Sequence, residues 1–507
     1  DQSQVVRSEV HQLRKCGAAS IIGGCAALAA CGSEATTTVE QSSVRVGVVA
    51  PREMGPQGQV VGLSYLTGAL VNEALVSVAG DGKIVPRLVE RWERSEDGKR
   101  WQFYLKKGVR FHNGDQLTSS LILPELQSHL GELVGAQSVS RIDESSFSIV
   151  QDEASTLLLD TLITVPIASG ENGRAGTGPF VPNSLRGDAV TFAAFDDYHR
   201  GEPSIQQVGL RQYANQRMAW AALMRRDIDV LYEVSPEARD FIETESTIAV
   251  SSFLRPYTYL LAFDLEDARF RDKRVRRALN LAVDREEVIR IALKGHAEPA
   301  YDHLWPNHWA VDASRSAYPR DAAAALALLR SSGYGEMRAE TPERMPNRLA
   351  FHCLVYAPLE RLALAVQRQL ALVGVDMSIE LLSLQQMGRR IVAGDFEAFL
   401  FELTNVRTLG YTYQFWHSKS QMSVRTGYDA ADDALDTMRL ARTDEEIKQA
   451  VMAVQDVMKN DPPAIFIAYP EMARAVSNDF VLPGGDEDIF HTIARWKTAS
   501  PAQGGAR

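Results

Sequence analysis

Few of the 507 residues have the types and spacing that would carry a reaction. Gly176-Thr177-Gly178 has the small-residue spacing of a loop that cradles an anion, but no helix start follows it. It therefore reads as a turn between strands with structural glycines. His296 and His303 stand beside Gly295 and Asp302, and the ten histidines do not cluster at metal-ligand spacing, so a solvent-exposed loop is expected there rather than a metal site. H-E-x-x-H, G-x-S-x-G, G-x-x-x-x-G-K and C-x-x-C are all absent. No catalytic residue, metal or cofactor is expected. Cys353, in LAFHCLVY, reads as a small packed hydrophobe. What remains is chemistry of binding. Tyr411, Tyr413, Phe415 and Trp416 form an aromatic density well above the chain's 8%. Tyr411 and Trp416 either line a cleft or fill a core, and Phe415 reads as core.

The rest of the chain must position those groups. With 45% apolar and 23% charged residues it is ordinary globular material, long enough for two or three domains. Its net charge of −11 argues against a nucleic-acid partner. Arg7, Arg14 and Lys15 precede a weakly apolar run over 16–30 that closes on Leu28-Ala29-Ala30-Cys31, the parts of an export signal. The small-small-Cys ending resembles the lipobox of bacterial lipoproteins, in which Cys31 is acylated. Ile22-Gly23-Gly24-Cys25 is a poorer candidate, and an Ala-rich disordered tail is the alternative. Residues 1–31 are thus read as a signal peptide with lipobox and 32–43 as a flexible tether.

Periodicity predicts a strand over 45–50 and a helix over 63–76 that buries Leu66, Leu70 and Leu75. Turns at Asp81-Gly82 and Asn113-Gly114 flank a strand over 101–105 with Trp101, Phe103 and Leu105 on one face. A helix over 118–130, a hairpin over 138–150, strands over 189–210, a helix over 218–225 and a strand over 228–232 follow. Over 251–263, Phe253, Arg255, Tyr257 and Tyr259 alternate, as in an extended strand that leaves one lobe for another. A helix over 274–294 opens the second lobe and another covers 321–331. Strands over 349–356, 376–381 and 398–403 alternate with helices over 359–372 and 384–393, the pattern of an α/β lobe with a largely parallel sheet. Helices over 429–438 and 445–459 precede a returning strand at 464–468. Two crossings predict a hinge.

The run over 81–118, DGKIVPRLVERWERSEDGKRWQFYLKKGVRFHNGDQLT, resembles the signature of the peptide/nickel/oligopeptide-binding family, family 5 of the extracytoplasmic solute-binding proteins that feed ABC importers. Similar family motifs recur in order: Gly176-Thr177-Gly178-Pro179-Phe180, Asp197-Tyr198, Ile228-Asp229-Val230, then Asp272, Val275-Arg276-Arg277-Ala278-Leu279 and Asp284-Arg285, and Gly427-Tyr428-Asp429. His199 and Arg226 depart from the pattern.

The resemblance implies a two-lobed periplasmic-binding-protein fold, type II and cluster C-like, with an extra subdomain in lobe one. Lobe one would cover 44–252 with the subdomain at about 58–172, lobe two 253–466, the return 467–498, and 499–507 a disordered tail. It implies a receptor that captures a peptide-like or other small solute and delivers it to an ABC permease in the inner membrane, acting as a monomer held outside the cytoplasm by a lipid anchor. An enzyme or sensor on this fold, or an opine, sugar or metal-chelate receptor, is the alternative. In peptide-binding members an Asp after a lobe-two strand pairs with the peptide ammonium. Asn405 stands at that place here, with Arg407 nearby and Glu402 as an acid in a shifted register. Tyr259, Trp305, His308, Tyr411 and Trp416, with Arg52 and Glu53 after the first strand, complete the expected ligand-binding set.

Overall fold

The computed structural model describes residues 42–49, 63–129, 136–170, 175–186, 189–335, 347–484 and 488–499. The expectations for Cys31, the signal and most of the tether, Arg52, Glu53, and all but the first residue of the tail lie outside them. One continuous sheet runs through both lobes. From one edge its strands are Asp376–Leu382, Ala350–Tyr356, Ala398–Thr404, Tyr257–Phe263, Ala464–Ser477, Val230–Leu231, Ser43–Val49, Gln207–Tyr213, Ala189–Ala194 and Phe180–Arg186. The architecture is mixed α/β.

In the first lobe Ser43–Val49 pairs parallel to Gln207–Tyr213 and buries Val44, Val46 and Val48 on one face. The helix Leu63–Val71 packs Leu66 and Leu70 onto this core beside Phe180, Phe192 and Trp496. That helix ends at Val71, five residues before the expected end, and Leu75 belongs to a different core. Residues 63–71, placed within the inserted subdomain by the sequence, thus pack with the first lobe. The subdomain is a four-stranded antiparallel sheet in the order Val89–Arg94, Arg100–Leu105, Ser146–Gln151, Ala136–Asp143. Its core is the expected face of Trp101, Phe103 and Leu105, with Phe103 stacked on Phe147 at 5.2 Å.

Gly176 and Gly178 hold subdomain and lobe together by close approach. A Cβ at Gly176 would lie 1.9 Å from the Val71 carbonyl oxygen, and one at Gly178 would lie 2.6 Å from that of Leu70. The reading of these glycines as structural is thereby explained. Next to them Glu73 is buried and gathers Arg87 (2.5 Å), Tyr198 hydroxyl (3.0 Å), His199 Nε2 (2.8 Å) and Thr177 hydroxyl (3.1 Å).

The second lobe packs its sheet between helices, and Cys353 is buried there as a small hydrophobe, with burial pushing its thiol pKa up. The predicted helix over 274–294 is two helices, Lys273–Ala282 and Arg285–Ala292. Asp284 breaks it by capping a new start, its side chain accepting the Glu287 N–H. The predicted crossover strand over 251–263 is also two, Ile248–Leu254 and Tyr257–Phe263, because Pro256 lacks the N–H that would continue the ladder. The returning strand is longer than expected, 14 residues from Ala464 to Ser477. Its first part pairs with Tyr257–Phe263 in the second lobe and its last part with Ile248–Leu254 in the first.

The Asp272 to Arg285 motif buttresses this shared strand. Arg276 bonds the Pro462 carbonyl at 2.8 Å, Asn280 Nδ2 bonds that of Ala464 at 3.0 Å, and Arg285 bonds that of Phe466 at 2.7 Å. Burial lowers the Arg285 pKa to about 10.

Candidate ligand-binding site

The crossing itself supplies the floor of the candidate site. Tyr259 and Glu402 face each other across the antiparallel pair Tyr257–Phe263 and Ala398–Thr404. Arg255, at the break between the two crossover strands, reaches Glu402 through two bonds of 2.7 and 3.2 Å, and its guanidinium lies 3.8 Å from the centre of the Tyr257 ring. The pair is largely buried, with side-chain exposures of 26% and 18%. Burial is the largest influence on the Arg255 pKa and works to lower it, but the Glu402 charge and hydrogen bond together with Tyr257 and Tyr259 outweigh it and the net shift is upward.

The first lobe answers with Tyr65 and Tyr232. Tyr65 is 58% exposed, yet desolvation raises its phenol pKa, and its other influences are Tyr257, Asp488, Arg474 and Arg255. This side chain is open to solvent and still feels charged and phenolic groups of both lobes, which places it near their junction. Tyr232 lies under the guanidinium of Arg474 at 3.5 Å, and Arg474 in turn bonds Asp488 at 3.1 and 2.8 Å. Four tyrosines and two balanced ion pairs thus meet where the lobes join. A site of this kind can stack a ring or an apolar stem and offer both signs of charge, with no nucleophile next to a general base.

The wall above the floor is the loop after Ala398–Thr404. Asn405 is fully buried; its Oδ1 accepts the Arg407 N–H at 3.0 Å, and its Nδ2 is buried without a hydrogen-bond partner. The buried Trp305 indole N–H and the Thr408 hydroxyl are in the same condition. Val406 and Arg407 adopt φ of 48° and 61°, a left-handed pair with no glycine in it, and Val is among the residues least suited to it. Arg407 lies over the Trp305 ring at 5.4 Å. Asn405 and Thr408 thus leave buried donors without partners in a loop that also holds two left-handed residues, and the Trp305 indole beside Arg407 leaves a third.

The structure corrects several expectations for single residues. Trp416 is a core residue, packed on Tyr428 and Phe466 at 6.4 and 5.5 Å, and does not line a cleft. His308 is buried against the turn at Gly82, where burial pushes its pKa down to about 4. His303 is fully buried as well, so the expected exposed loop is absent there; its Nδ1 lies 3.3 Å from Thr412 Oγ1, and burial lowers its pKa to about 3. Glu402 in its shifted register is already paired with Arg255. Tyr411 is half-buried, with its ring 5.8 Å from that of Phe415. Among the described residues no group of three or more His, Cys, Asp or Glu side chains could hold a metal ion.

The comparisons decide the family. The family model "Bacterial extracellular solute-binding proteins, family 5 Middle" matches residues 83–423. This chain belongs to that family. The di/tripeptide-binding protein 2 of Pseudomonas aeruginosa UCBPP-PA14 is 23% identical to this family 5 protein, over 84% of this chain and 89% of its own. Among solved structures, NikZ from Campylobacter jejuni in complex with Ni(L-His) superposes with a TM-score of 0.72 at 19% identity, over 91% of this chain and 100% of its own. AgaA from A. tumefaciens R10, in complex with agropinic acid, gives 0.72 at 20%, over 90% and 99%. The shared fold is the two-lobed one, and no helix among the described residues of this family 5 member is long and apolar enough to cross a membrane.

Proposed function

We infer that this protein is the solute-binding receptor of an ABC importer, closing its lobes on a small solute outside the cytoplasm and passing it on without covalent chemistry. The observation that supports a receptor is the floor at the crossing, where the Arg255–Glu402 pair of one lobe is faced by Tyr65 of the other. The relatives and structural neighbours are named for di- and tripeptides, Ni(L-His) and agropinic acid, so the ligand has to be read from this chain's own wall.

That wall favours a ligand with an acceptor group, such as a carboxylate, over an ordinary peptide held by its ammonium. Asn405 gives no charge where peptide binders keep an acid, and Glu402 would have to give up Arg255 to replace it. The orphaned donors of Asn405, Trp305 and Thr408 want acceptors. A lost charge-assisted bond is worth roughly 1.5 to 3 kcal/mol, about one to two orders of magnitude in peptide affinity. Native mass spectrometry of the protein from its own host reads the mass of a co-purifying ligand. Calorimetry with di- to pentapeptides, free and N-acetylated, is the second test. Micromolar binding that vanishes on acetylation overturns the acceptor reading, and product formation in place of stoichiometric binding overturns the receptor.

The lipid anchor at Cys31 belongs to the same proposal, as does a monomeric state. Two or three acyl chains on one cysteine hold a protein far longer than one. Wild type is expected to partition into detergent and Cys31→Ser to lose membrane attachment; a variant that stays bound excludes the anchor.

A further inference from the structure

Away from the floor, the subdomain touches the second lobe through a carboxylate that the binding reading leaves unused. Asp160 sits on the short helix Leu158–Leu162 of the subdomain and is 9% exposed. Its Oδ2 accepts the backbone N–H of Gly410, the first residue of the helix Gly410–Trp416 in the second lobe, at 2.7 Å. The two residues are 250 positions apart. A Cβ on Gly410 would fall 2.7 Å from that of Asp160 and 3.1 Å from Oδ2, so glycine alone allows the approach. Thr156 seals the edge of the contact, giving its N–H (2.9 Å) and hydroxyl (3.1 Å) to the Arg439 carbonyl.

Among the described residues no side-chain charge offsets the burial of Asp160. The helix Gly410–Trp416 has no ionisable group other than its two tyrosines, of which Tyr413 turns to Asp436 at 3.4 Å. On the neighbouring helix Asp432–Leu440, Arg439 is taken by Glu153 at 2.8 Å and by Asp436 at 3.1 Å. Arg407, ahead of Gly410, lies over Trp305. The core around Leu158 and Leu162 is apolar. A carboxylate answered by one backbone dipole is poorly compensated for leaving water.

We propose that the lobes take up a proton as they close: Asp160 is a solvated carboxylate when they are apart and a carboxylic acid, still accepting from Gly410, when the subdomain seats on the second lobe. The proton comes from solvent and returns to it on opening. Burial pushes the Asp160 pKa up to about 7, with the Gly410 bond opposing. The raised value means that closing is penalised above about pH 7 and that the penalty shrinks as pH falls toward the ordinary carboxylate value, up to about tenfold in the closing equilibrium per pH unit. Acid closes the receptor and alkali opens it.

Amide hydrogen exchange of the full chain tests this without a ligand, because the Gly410 N–H is covered only in the closed state. After correction for intrinsic exchange, its protection is expected to rise from pH 8 to pH 5 by about tenfold or more. Asp160→Asn, neutral and still an acceptor, should hold high protection at every pH. A flat wild-type profile overturns the proposal, as does an Asp160→Asn variant that retains the slope. So does Gly410 protection equal to that of the core strand Tyr257–Phe263 at all pH, because the lobes then do not part. Should Asp160→Asn fail to fold, infrared titration of wild type, in which a carboxylic-acid band appears near pH 7 or does not, decides the question.

Discussion

In the proposed reading, Arg407 is the side chain on which the charge of the ligand turns. An Arg can hold a carboxylate by two parallel bonds, whereas a Lys gives a point charge and stacks poorly on Trp305. Arg407→Lys is expected to weaken binding of a carboxylate ligand by about tenfold in calorimetry. Unchanged affinity would put the side chain outside the cleft. Glu73 sets a test of stability. Burial alone would push its pKa up, but the His199 hydrogen bond and the Arg87 charge bring it below the ordinary value. A lowered carboxylate stabilises the fold above its unfolded pKa and loses that effect as pH falls through the folded value, so this contribution disappears below about pH 4.5. Glu73→Ala takes the acceptor from Arg87 and three other donors and should cost about 3 to 5 kcal/mol in chemical denaturation. Asn405 and Arg407 could be singled out in the sequence through the family resemblance, and Tyr259 because it occupies a strand with clear alternation. Tyr65, Tyr232 and the Arg255–Glu402 pair could not, since Arg255 and Glu402 stand 147 residues apart and only the strand register joins them. The core place of Trp416 and the burial of His303 are not legible, because composition does not reveal which side of a helix or loop is packed.

At the scale of elements, the loop after Ala398–Thr404 carries a prediction of its own. A β-branched residue in the left-handed region costs about 1 to 3 kcal/mol, and Val406 pays it next to Arg407. Val406→Gly removes the strain and adds some unfolded-state entropy, for a net gain of about 1 kcal/mol in thermal unfolding. If the strain holds Asn405 and Trp305 in register, the same variant binds ligand more weakly; a variant that gains stability and keeps full affinity shows that the strain has no part in binding. The strands and helices of the second lobe were legible almost throughout, because alternation and helical spacing are strong there. The breaks at Pro256 and Asp284 were not read, although both residue types announce them; the apolar pattern runs on across each and hides the interruption. The length of Ala464–Ser477 was half hidden for a different reason: a strand buried on both faces loses the alternation by which a strand is recognised.

For the whole molecule, the expected motion is a hinge about the crossing. Beside the Arg439–Glu153 pair, the ion pairs between the lobes include surface ones: Arg361 to Glu237 at 2.5 Å with exposures of 61% and 57%, Lys294 to Asp240 at 3.4 Å, and Lys83 to Asp444 at 3.7 Å. Such pairs contribute about 0 to 1 kcal/mol, too little to lock the lobes. Small-angle scattering is expected to show a smaller radius of gyration with ligand than without, and an unchanged radius at saturation would mean a rigid body. Arg361→Ala should change affinity by no more than about fivefold.

The strand Ala464–Ser477 follows every other strand of the large sheet in chain order, and both lobes are unfinished without it. Until it is made, Tyr257–Phe263 is paired only with Ala398–Thr404 and Val230–Leu231 only with Ser43–Val49, so the two halves of the sheet are not joined while synthesis is under way. A chain that completes both folds at one late step stays loose for nearly the whole of its synthesis. On the proposed reading, in which the chain is exported before it folds, that delay is an advantage: the topology that makes the hinge also keeps the chain fit for translocation.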